Sequence, residues 1–391
     1  MDIFNRRNFI KKSSIGLLPV IAPLGPTMIM NNNQFMEPSV KAVKFFGDGE
    51  MFEPGDYLNE LQKAHTAAAI VKDRYGVGGV IETLEKKFCE ITGKEKAIFM
   101  PSGTMANQFA IAVLSDEKTK VFVQDTSHVY RDEADAAQAL FNKRLMPLAK
   151  DETYFTADQL KKAIANLKNE EVFESGIGAV SIENPVRRAD GKVVPIDEIK
   201  KISEYCRNNN IKLHLDGARL YMASAWTGVS IKEYASYFDT VYISLYKYLG
   251  ASGGAMLCGP KEIIDKMTHL IKIHGGSMYG NWTNAAMALH RLEGFETRLK
   301  NAISSAKEIF TALNQLQGIK IESFTGGTNT YRFKLAKNID GRKMQTKLNQ
   351  EYNIRFPMPN SENEGMLMVN ETLLYQSTGE IINAFKKSIQ N

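Results

Sequence analysis

Lys247 is the first residue of this sequence that could carry covalent chemistry. It follows the apolar run TVYISL at 240–245 and precedes the glycine-rich loop GASGG at 250–254. An amine held in partly apolar surroundings has a lowered pKa and can form a Schiff base with a carbonyl compound. The alternative is a solvated loop lysine, because lysine is common at protein surfaces.

Asp216 ends a run that predicts a buried strand, IKLHL at 211–215, and it precedes a Gly-Ala-Arg turn that ends at Arg219. A carboxylate at the end of a buried strand is costly unless something pairs with it. Its partner is therefore either a local cap or a ligand.

The turn PSGTM at 101–105 lies between a predicted strand, KAIFM, and a predicted helix. The free N–H groups and the dipole of a helix N-terminus favour an anion, most naturally phosphate. Ser102 and Thr104 add hydroxyl groups, and Gly103 lets the backbone approach a ligand closely. A plain helix cap by Ser102 or Thr104 explains the same residues.

These three features together describe one cofactor. Lys247 lies 31 residues after Asp216, which leaves room for a helix and one further strand, so both residues can reach one pocket from adjacent strand ends. A phosphate for the turn, an aldehyde for the lysine and a cationic ring nitrogen for the carboxylate are the groups of pyridoxal phosphate. Asp216 would keep that nitrogen protonated and make the ring an electron sink.

Two further side chains could complete the site. His128 follows the strand-like stretch at 120–124, and its imidazole could stack on the cofactor ring or move protons. Arg187 and Arg188 follow the predicted strand at 176–183, and a guanidinium could hold a substrate carboxylate in a bidentate pair. A satisfied loop histidine and a surface charge pair are the alternatives.

Short apolar strands alternate with helical segments from residue 81 onward. This alternation predicts an α/β fold with a parallel sheet covered on both faces, whose ligands bind at the carboxyl ends of the strands. A long amphipathic helix at 295–316 then leads into a different pattern, which predicts a smaller α+β domain. We expect a large domain with an N-terminal arm over 37–293 and a small domain over 294–391. The predicted strands are 96–100, 120–124, 176–183, 211–216, 240–245, 319–324, 329–335 and 366–370.

The first 36 residues read as an export signal and a disordered lead. The paired Arg6 and Arg7 begin an RR-x-F-I-K pattern that ends at Lys11, and the apolar stretch that follows is too short to span a bilayer comfortably. This pattern predicts twin-arginine export of a folded protein to the periplasm. A disordered basic tail is the alternative, and a cytoplasmic protein would follow from it.

Composition excludes several classes of function. The chain has 391 residues, and its net charge of +5 falls to +2 without the net +3 of the first 36 residues. No nucleic-acid or membrane-surface patch is implied. The three cysteines form no C-x-x-C pair, which argues against a disulfide framework or structural zinc. We expect no metal, no nucleic acid, and no membrane partner after export.

Three stretches closely resemble the threonine aldolase and β-eliminating lyase family: 75–108 around PSGTM, 182–195 (IENPVRRADGKVVP) and 213–220 (LHLDGARL). The members of this family are pyridoxal-phosphate enzymes of the aspartate aminotransferase type, fold type I. The resemblance covers roughly residues 45–300 well and the C-terminal part weakly. It implies a dimer or a tetramer with active sites at the subunit interface.

The resemblance also implies a role for each candidate. Lys247 would form the Schiff base, and Asp216 would bind the ring nitrogen. The remaining roles are phosphate contacts from Gly103 and Thr104, ring stacking by His128, a cofactor or substrate contact by Arg219, and binding of the substrate carboxylate by Arg188.

The sequence departs from the family on the substrate side. Gly47 stands where a serine that helps hold the substrate is usual, although Asp48 is kept and is a candidate substrate ligand. Tyrosines flank Lys247. The C-terminal arginine that clamps the carboxylate falls at Met368, and Arg355 is its candidate substitute. Tyr279 stands where an arginine is common. The cofactor half therefore looks intact, and the substrate half is altered.

The sequence thus predicts a pyridoxal-phosphate lyase that cleaves a small β-hydroxy amino acid to glycine and an aldehyde by a retro-aldol reaction. His128 or an ordered water is the candidate base. The alternatives are β- or γ-elimination or another reaction on an amino acid, a non-catalytic cofactor and amino-acid-binding protein, and an α/β domain without a cofactor.

Overall fold

The computed structural model of the chain describes residues 41–389. The export signal and lead predicted over 1–36 lie outside the described residues, and their assignment stays a prediction. The described residues all belong to one compact unit. None of the helices within 41–389 is long and apolar enough to cross a membrane.

A seven-stranded sheet forms the centre of the large region. Its strands are β2 (Lys96–Met100), β3 (Lys120–Gln124), β4 (Arg144–Leu148), β5 (Ile177–Glu183), β6 (Lys212–Asp216), β7 (Thr240–Ser244) and β8 (Ala255–Gly259). Their order is β2-β8-β7-β6-β5-β3-β4. Within this sheet, β8 runs antiparallel to both of its neighbours and the other six strands share one direction, so the prediction of a mostly parallel α/β sheet is confirmed.

Helices cover both faces of this sheet. The side chains of Val121 and Val123 belong to one hydrophobic cluster, whereas Phe122 between them belongs to another, and successive strand residues point to opposite faces. The helices of this region are α1 (Pro54–Ala67), α2 (Gly79–Thr92), α3 (Gly103–Ser115), α4 (His128–Arg131), α5 (Ala136–Phe141), α6 (Ala157–Glu170), α7 (Ile196–Asn208), α8 (Leu220–Thr227), α9 (Ile231–Ser236), α10 (Lys261–Ile264), α11 (Met267–Ile273) and α12 (Trp282–Leu292). A 3-10 helix also spans Arg187–Ala189.

The C-terminal region has a hydrophobic core of its own. Its strands β9 (Ile319–Ser323), β10 (Thr330–Leu335) and β12 (Glu364–Met368) form an antiparallel sheet in the order β12-β10-β9. The helices packed on it are α13 (Phe295–Leu313), α14 (Gly341–Tyr352) and α15 (Thr378–Ile389). Phe333 and Leu367 are fully buried in this core.

The N-terminal arm packs in this C-terminal core. Strand β1 (Val43–Lys44) pairs in parallel with β11 (Ile354–Arg355). The ring of Phe45 lies 5.8 Å from the rings of both Phe356 and Phe385. The arm that we assigned to the large domain therefore completes the core of the smaller region.

Helix α13 joins the two regions. Phe295 and Leu299 at its start belong to the core of the large region, whereas Ile309 and Leu313 near its end belong to the C-terminal core. One amphipathic helix thus serves both cores, and the domain boundary expected at residues 293 and 294 stays a prediction.

A buried ion cluster holds the C-terminal region against the large one. Glu371, in the 3-10 helix Glu371–Tyr375, accepts hydrogen bonds from Arg291 of α12 and from Nε of Arg298 of α13, the latter at 2.7 Å. The carboxylate of Glu371 is almost completely buried. Removing its charge would leave two guanidinium groups without their main partner.

We expect Glu371→Gln to lower the free energy of unfolding by about 3 kcal/mol, because breaking a buried ion pair leaves an uncompensated charge. Urea denaturation measures this change. Glu364→Gln is the matched control, since Glu364 pairs with Lys334 at the surface of the antiparallel sheet, where ion pairs contribute little. Equal effects from the two variants would contradict this account of the cluster.

Candidate active site

One cavity of about 250 Å³ lies at the carboxyl ends of the central strands. It opens where β2, β3, β5, β6 and β7 end, as the sequence predicts for a ligand site in a parallel sheet. The predicted site residues that line it are Ser102, Gly103, Thr104, His128, Asp216 and Lys247. The remaining lining residues are Pro101, Glu133, Glu183, Ala218, Tyr242, Tyr246, Ser252 and Gly253.

The N-terminus of helix α3 forms one wall of the cavity. Oγ of Ser102 accepts a hydrogen bond from the N–H of Met105 at 3.2 Å, so Ser102 is the N-cap. Gly103 and Thr104 then begin the helix, and their N–H groups are among the first four, which have no acceptor within the helix. Gly103 packs so closely on Tyr242 that a Cβ at this position would overlap the tyrosine hydroxyl. Ser102 therefore caps the helix, and the N–H groups of Gly103 and Thr104 are available to bind an anion.

Lys247 loses its proton more readily than an ordinary lysine. It follows β7, is half-buried, and its Nζ lies 6.0 Å from the centre of the Tyr246 ring. Burial and the neighbouring Arg219 charge lower its pKa to about 8. Near pH 8 about half of the molecules therefore carry the neutral, nucleophilic form.

Asp216 has local hydrogen-bond donors, but both of them are neutral. Its Oδ1 accepts from the N–H of Ala218 at 3.1 Å, and its Oδ2 accepts from Nδ2 of Asn107 at 2.8 Å. The side chain is 3% exposed. These donors fix the carboxylate without cancelling its charge, so it can still attract a cationic group in the cavity.

His128 is held by two carboxylates that sequence reasoning did not single out. Its backbone N–H donates to Oε2 of Glu183 at 2.7 Å, and Nδ1 of its imidazole lies 3.0 Å from Oε1 of Glu133. The hydrogen bond to Glu133 is the main cause of a raised imidazole pKa. Glu183 also accepts from the N–H of Arg187 at 2.9 Å, so it ties together the loops after β3 and β5.

Glu183 is itself perturbed by its surroundings. Burial and the nearby negative charge of Asp216 raise its pKa to about 7. Its position at the end of β5 matches that of Asp216 at the end of β6. The same signal, a carboxylate that ends a predicted strand, would have found it in the sequence.

Arg219 and Asp48 lie beside the cavity as an ion pair. Nε of Arg219 donates to Oδ2 of Asp48 at 2.8 Å, and Nδ2 of Asn329 lies 3.3 Å from Oδ1 of Asp48. Asp48 therefore links the N-terminal arm, the turn after β6 and the C-terminal region. Its role as a direct substrate ligand stays a prediction.

The other two arginines proposed for the substrate carboxylate lie elsewhere. Arg188 is about half exposed and binds Asp132, with 2.8 Å from its Nε to Oδ2. Arg355 lines a separate cavity of about 450 Å³ with Phe46 and residues of α14. The structure brings neither side chain to the strand-end cavity, so their substrate roles stay predictions.

Asn107 is the main site residue that the sequence did not reveal. It lies in α3, is 1% exposed and hydrogen-bonds both Asp216 and Glu133. It stands four residues after Gly103, on the same face of the helix. This spacing was the available signal.

Comparison with known proteins agrees with this geometry. Residues 58–335 match the model of a family described as beta-eliminating lyase. The chain is 35% identical over 274 residues to the low-specificity L-threonine aldolase of Candida albicans, covering 70% of this chain and 72% of that protein. It is 34% identical over 214 residues to alanine racemase TOXG of Cochliobolus carbonum, covering 54% of each. The solved threonine aldolase of Leishmania major superposes with a TM-score of 0.66 at 18% identity, covering 88% of this chain and 98% of that chain.

Sheet order, cavity position and structural likeness define the fold of the fold type I pyridoxal-phosphate-dependent enzymes. Within that class, the chain belongs to the beta-eliminating lyase family, as the sequence predicts.

We expect Gly103→Ala to lower the free energy of unfolding by about 1–3 kcal/mol, because its methyl group would overlap the Tyr242 hydroxyl at the cavity wall. Thermal unfolding of the ligand-free protein measures this effect. Gly379→Ala is the control, since a Cβ at Gly379 in α15 meets nothing within 4 Å. A wild-type melting temperature for Gly103→Ala would show that the wall can move.

Proposed function

We propose that this protein is a pyridoxal-phosphate-dependent lyase that cleaves a β-hydroxy amino acid to glycine and an aldehyde. The observation that carries the proposal is the meeting of three groups in one cavity: Lys247, Asp216 and the N-terminus of α3. Each group matches a different part of the cofactor.

The residues of the cavity fit pyridoxal phosphate by their chemistry. The N-terminus of α3 with Ser102 and Thr104 supplies donors for a phosphate. Asp216 supplies a buried charge that its neutral donors leave uncancelled, as a protonated ring nitrogen requires. Lys247 supplies an amine whose lowered pKa suits it to bond an aldehyde.

When bound, pyridoxal phosphate would supply an aldehyde that links to amines and a ring that accepts electrons from the substrate. Lys247 supplies the amine to which that aldehyde would bond before substrate binds. The Nη groups of Arg219 are our candidate donors for the substrate carboxylate, because its Nε already donates to Asp48.

His128 is our candidate for moving the hydroxyl proton of the substrate. Glu133 engages Nδ1 of its imidazole, which leaves Nε2 as the nitrogen that can exchange a proton. The raised pKa increases the affinity of the ring for the proton that it takes up. An ordered water is the other candidate base.

The substrate assignment is supported by the relatives. The Candida albicans protein is named a low-specificity L-threonine aldolase, and the altered substrate side leaves room for β-hydroxy amino acids other than threonine. A second candidate is another reaction on the α-carbon, since alanine racemase TOXG is also a relative. β-Elimination and amino-acid binding without turnover remain further alternatives.

We expect purified protein reconstituted with pyridoxal phosphate to show a visible absorption band that borohydride abolishes. The reduced cofactor should then be a covalent label on Lys247. Lys247→Ala should lack both the band and the label, because the amine is gone. Lys212→Ala is the control, since Lys212 is an exposed residue at the opposite end of β6. A wild-type protein without a band would refute the cofactor assignment.

The products distinguish the reactions. With threonine, allo-threonine and phenylserine we expect equimolar glycine and aldehyde. Ammonia and a keto acid would indicate elimination, and interconversion of threonine and allo-threonine without cleavage would indicate inversion at the α-carbon. A spectral shift without any product would indicate binding alone.

We further propose that a second copy of this chain covers the apolar surface beside the cavity, giving a homodimer or homotetramer. Tyr75, Val77, Met278 and Tyr279 are each about half or more exposed there, and the first three line a second cavity that shares Pro101 with the first. We expect sedimentation to show a dimer or larger, and Val77→Asp to weaken it. A monomeric wild type would contradict this.

We also propose that the chain is exported, on the strength of Arg6 and Arg7 alone. A reporter fused after the first 36 residues should reach the periplasm, and Arg6→Lys with Arg7→Lys should stop it. Retention of the unaltered fusion in the cytoplasm would refute export.

A further inference from the structure

The amide of Asn107 stands between two carboxylates from different elements. Its Nδ2 lies 2.8 Å from Oδ2 of Asp216 and 2.8 Å from Oε1 of Glu133. An amide nitrogen carries two hydrogens, so each carboxylate receives one. Asn107, Asp216 and Glu133 are all buried.

The other end of the amide is fixed by His214 of β6. Oδ1 of Asn107 lies 3.0 Å from Nε2 of His214, and Nδ1 of His214 lies 2.8 Å from Oγ1 of Thr240. Burial lowers the pKa of His214 to about 4, so its ring is neutral and carries one proton. Because Oδ1 can only accept, that proton is on Nε2, and the Thr240 hydroxyl donates to Nδ1.

Oε1 of Glu133 also contacts the imidazole of His128, at 3.0 Å from Nδ1. One oxygen therefore meets both Asn107 and His128, whereas Oε2 of Glu133 has no hydrogen-bond partner among the described residues. An unbroken chain of side chains runs from Asp216 through Asn107 and Glu133 to His128.

Two buried carboxylates this close repel each other. One atom each of His128, Glu133 and Asp216 lies within 4.8 Å of the others. Without intervening donors, such a pair takes up a proton and one member becomes neutral. The other titratable or charged groups that face this chain are Asp132, Glu183, His214, Arg219, Tyr242, Tyr246 and Lys247.

We propose that Asn107 is a positioning residue that keeps Asp216 and Glu133 ionised together and couples the proton on His128 to the charge that Asp216 presents in the cavity. This inference rests on the proposed function only in assigning a cofactor ring to Asp216. The orientation of the amide follows from its three partners alone.

The direct test is Asn107→Leu, which keeps the size of the side chain and removes its donors. The ionised carboxylate of Asp216 loses a hydrogen bond in this variant and takes up a proton at higher pH. The acid limb of the kcat/KM profile should therefore move upward by about one pH unit. Gln108→Leu is the matched control, because Gln108 is a buried amide in the same helix that does not line the cavity. An Asn107→Leu profile equal to that of the wild type would overturn the proposal.

The cofactor-free protein gives an independent reading by ¹⁵N NMR of its histidines. In wild-type protein we expect His214 to keep its proton on Nε2 from pH 5 to pH 9. In Asn107→Leu the pKa of His128 should fall by about half a unit, because the pair of carboxylates takes up a proton and the imidazole loses part of the negative charge that faces it. A proton on Nδ1 of His214, or an unchanged or raised pKa of His128, would overturn the coupling even if the protein binds no pyridoxal phosphate.

Thr240→Val keeps the test decisive if Asn107→Leu does not fold. It removes the donor to Nδ1 of His214 and leaves the Asn107 amide in place. We expect the proton of His214 to stay on Nε2, since Asn107 requires a donor there. A move of the proton to Nδ1 would show that Thr240, and not Asn107, sets the arrangement, and would refute the proposal.

Discussion

The site depends on one negative charge, that of Asp216, kept in the interior at the end of β6. Two neutral donors, the N–H of Ala218 and the amide of Asn107, hold this carboxylate in place. A positive partner in direct contact would quench it, and an apolar environment without donors would protonate it. The arrangement preserves an uncancelled charge. This charge acts on the three other titratable groups of the cavity, Lys247, His128 and Glu183.

The cofactor half of the site could be predicted because its residues lie in short sequence patterns that can be recognised locally. A polar residue that ends an apolar strand lies at the carboxyl edge of a parallel sheet wherever the rest of the chain goes. Asp216, Lys247 and the turn at Ser102 could therefore be assigned to one pocket from sequence, and the strands that carry them were located to within one or two residues. Glu183 obeys the same rule, because it ends the predicted strand at 176–183.

The substrate half could not be predicted, because it depends on long-range geometry. Arg188 meets Asp132, and Arg355 faces another cavity, and neither fact follows from local pattern. Asn107 and Glu133 are equally hidden, since their importance comes from the other side chains that they touch. The same holds for the arm, where an apolar run such as Val43 to Phe45 gives no sign of which core it will enter.

The arm has a consequence for the order in which the chain acquires its shape. The N–H of Lys44 donates to Thr372, 328 positions away, and β1 pairs with a strand in the last tenth of the chain. Contacts of such high sequence separation form late, because a large loop must close first. During synthesis the arm can dock only after the ribosome has released nearly the whole polypeptide. Asp48, which pairs with Arg219, lies three residues after Phe45 and is placed together with the arm. The ion pair of Asp48 and Arg219 beside the cavity therefore forms only after β11 has been synthesised. A chain stalled before β11 would have the strand ends without this ion pair.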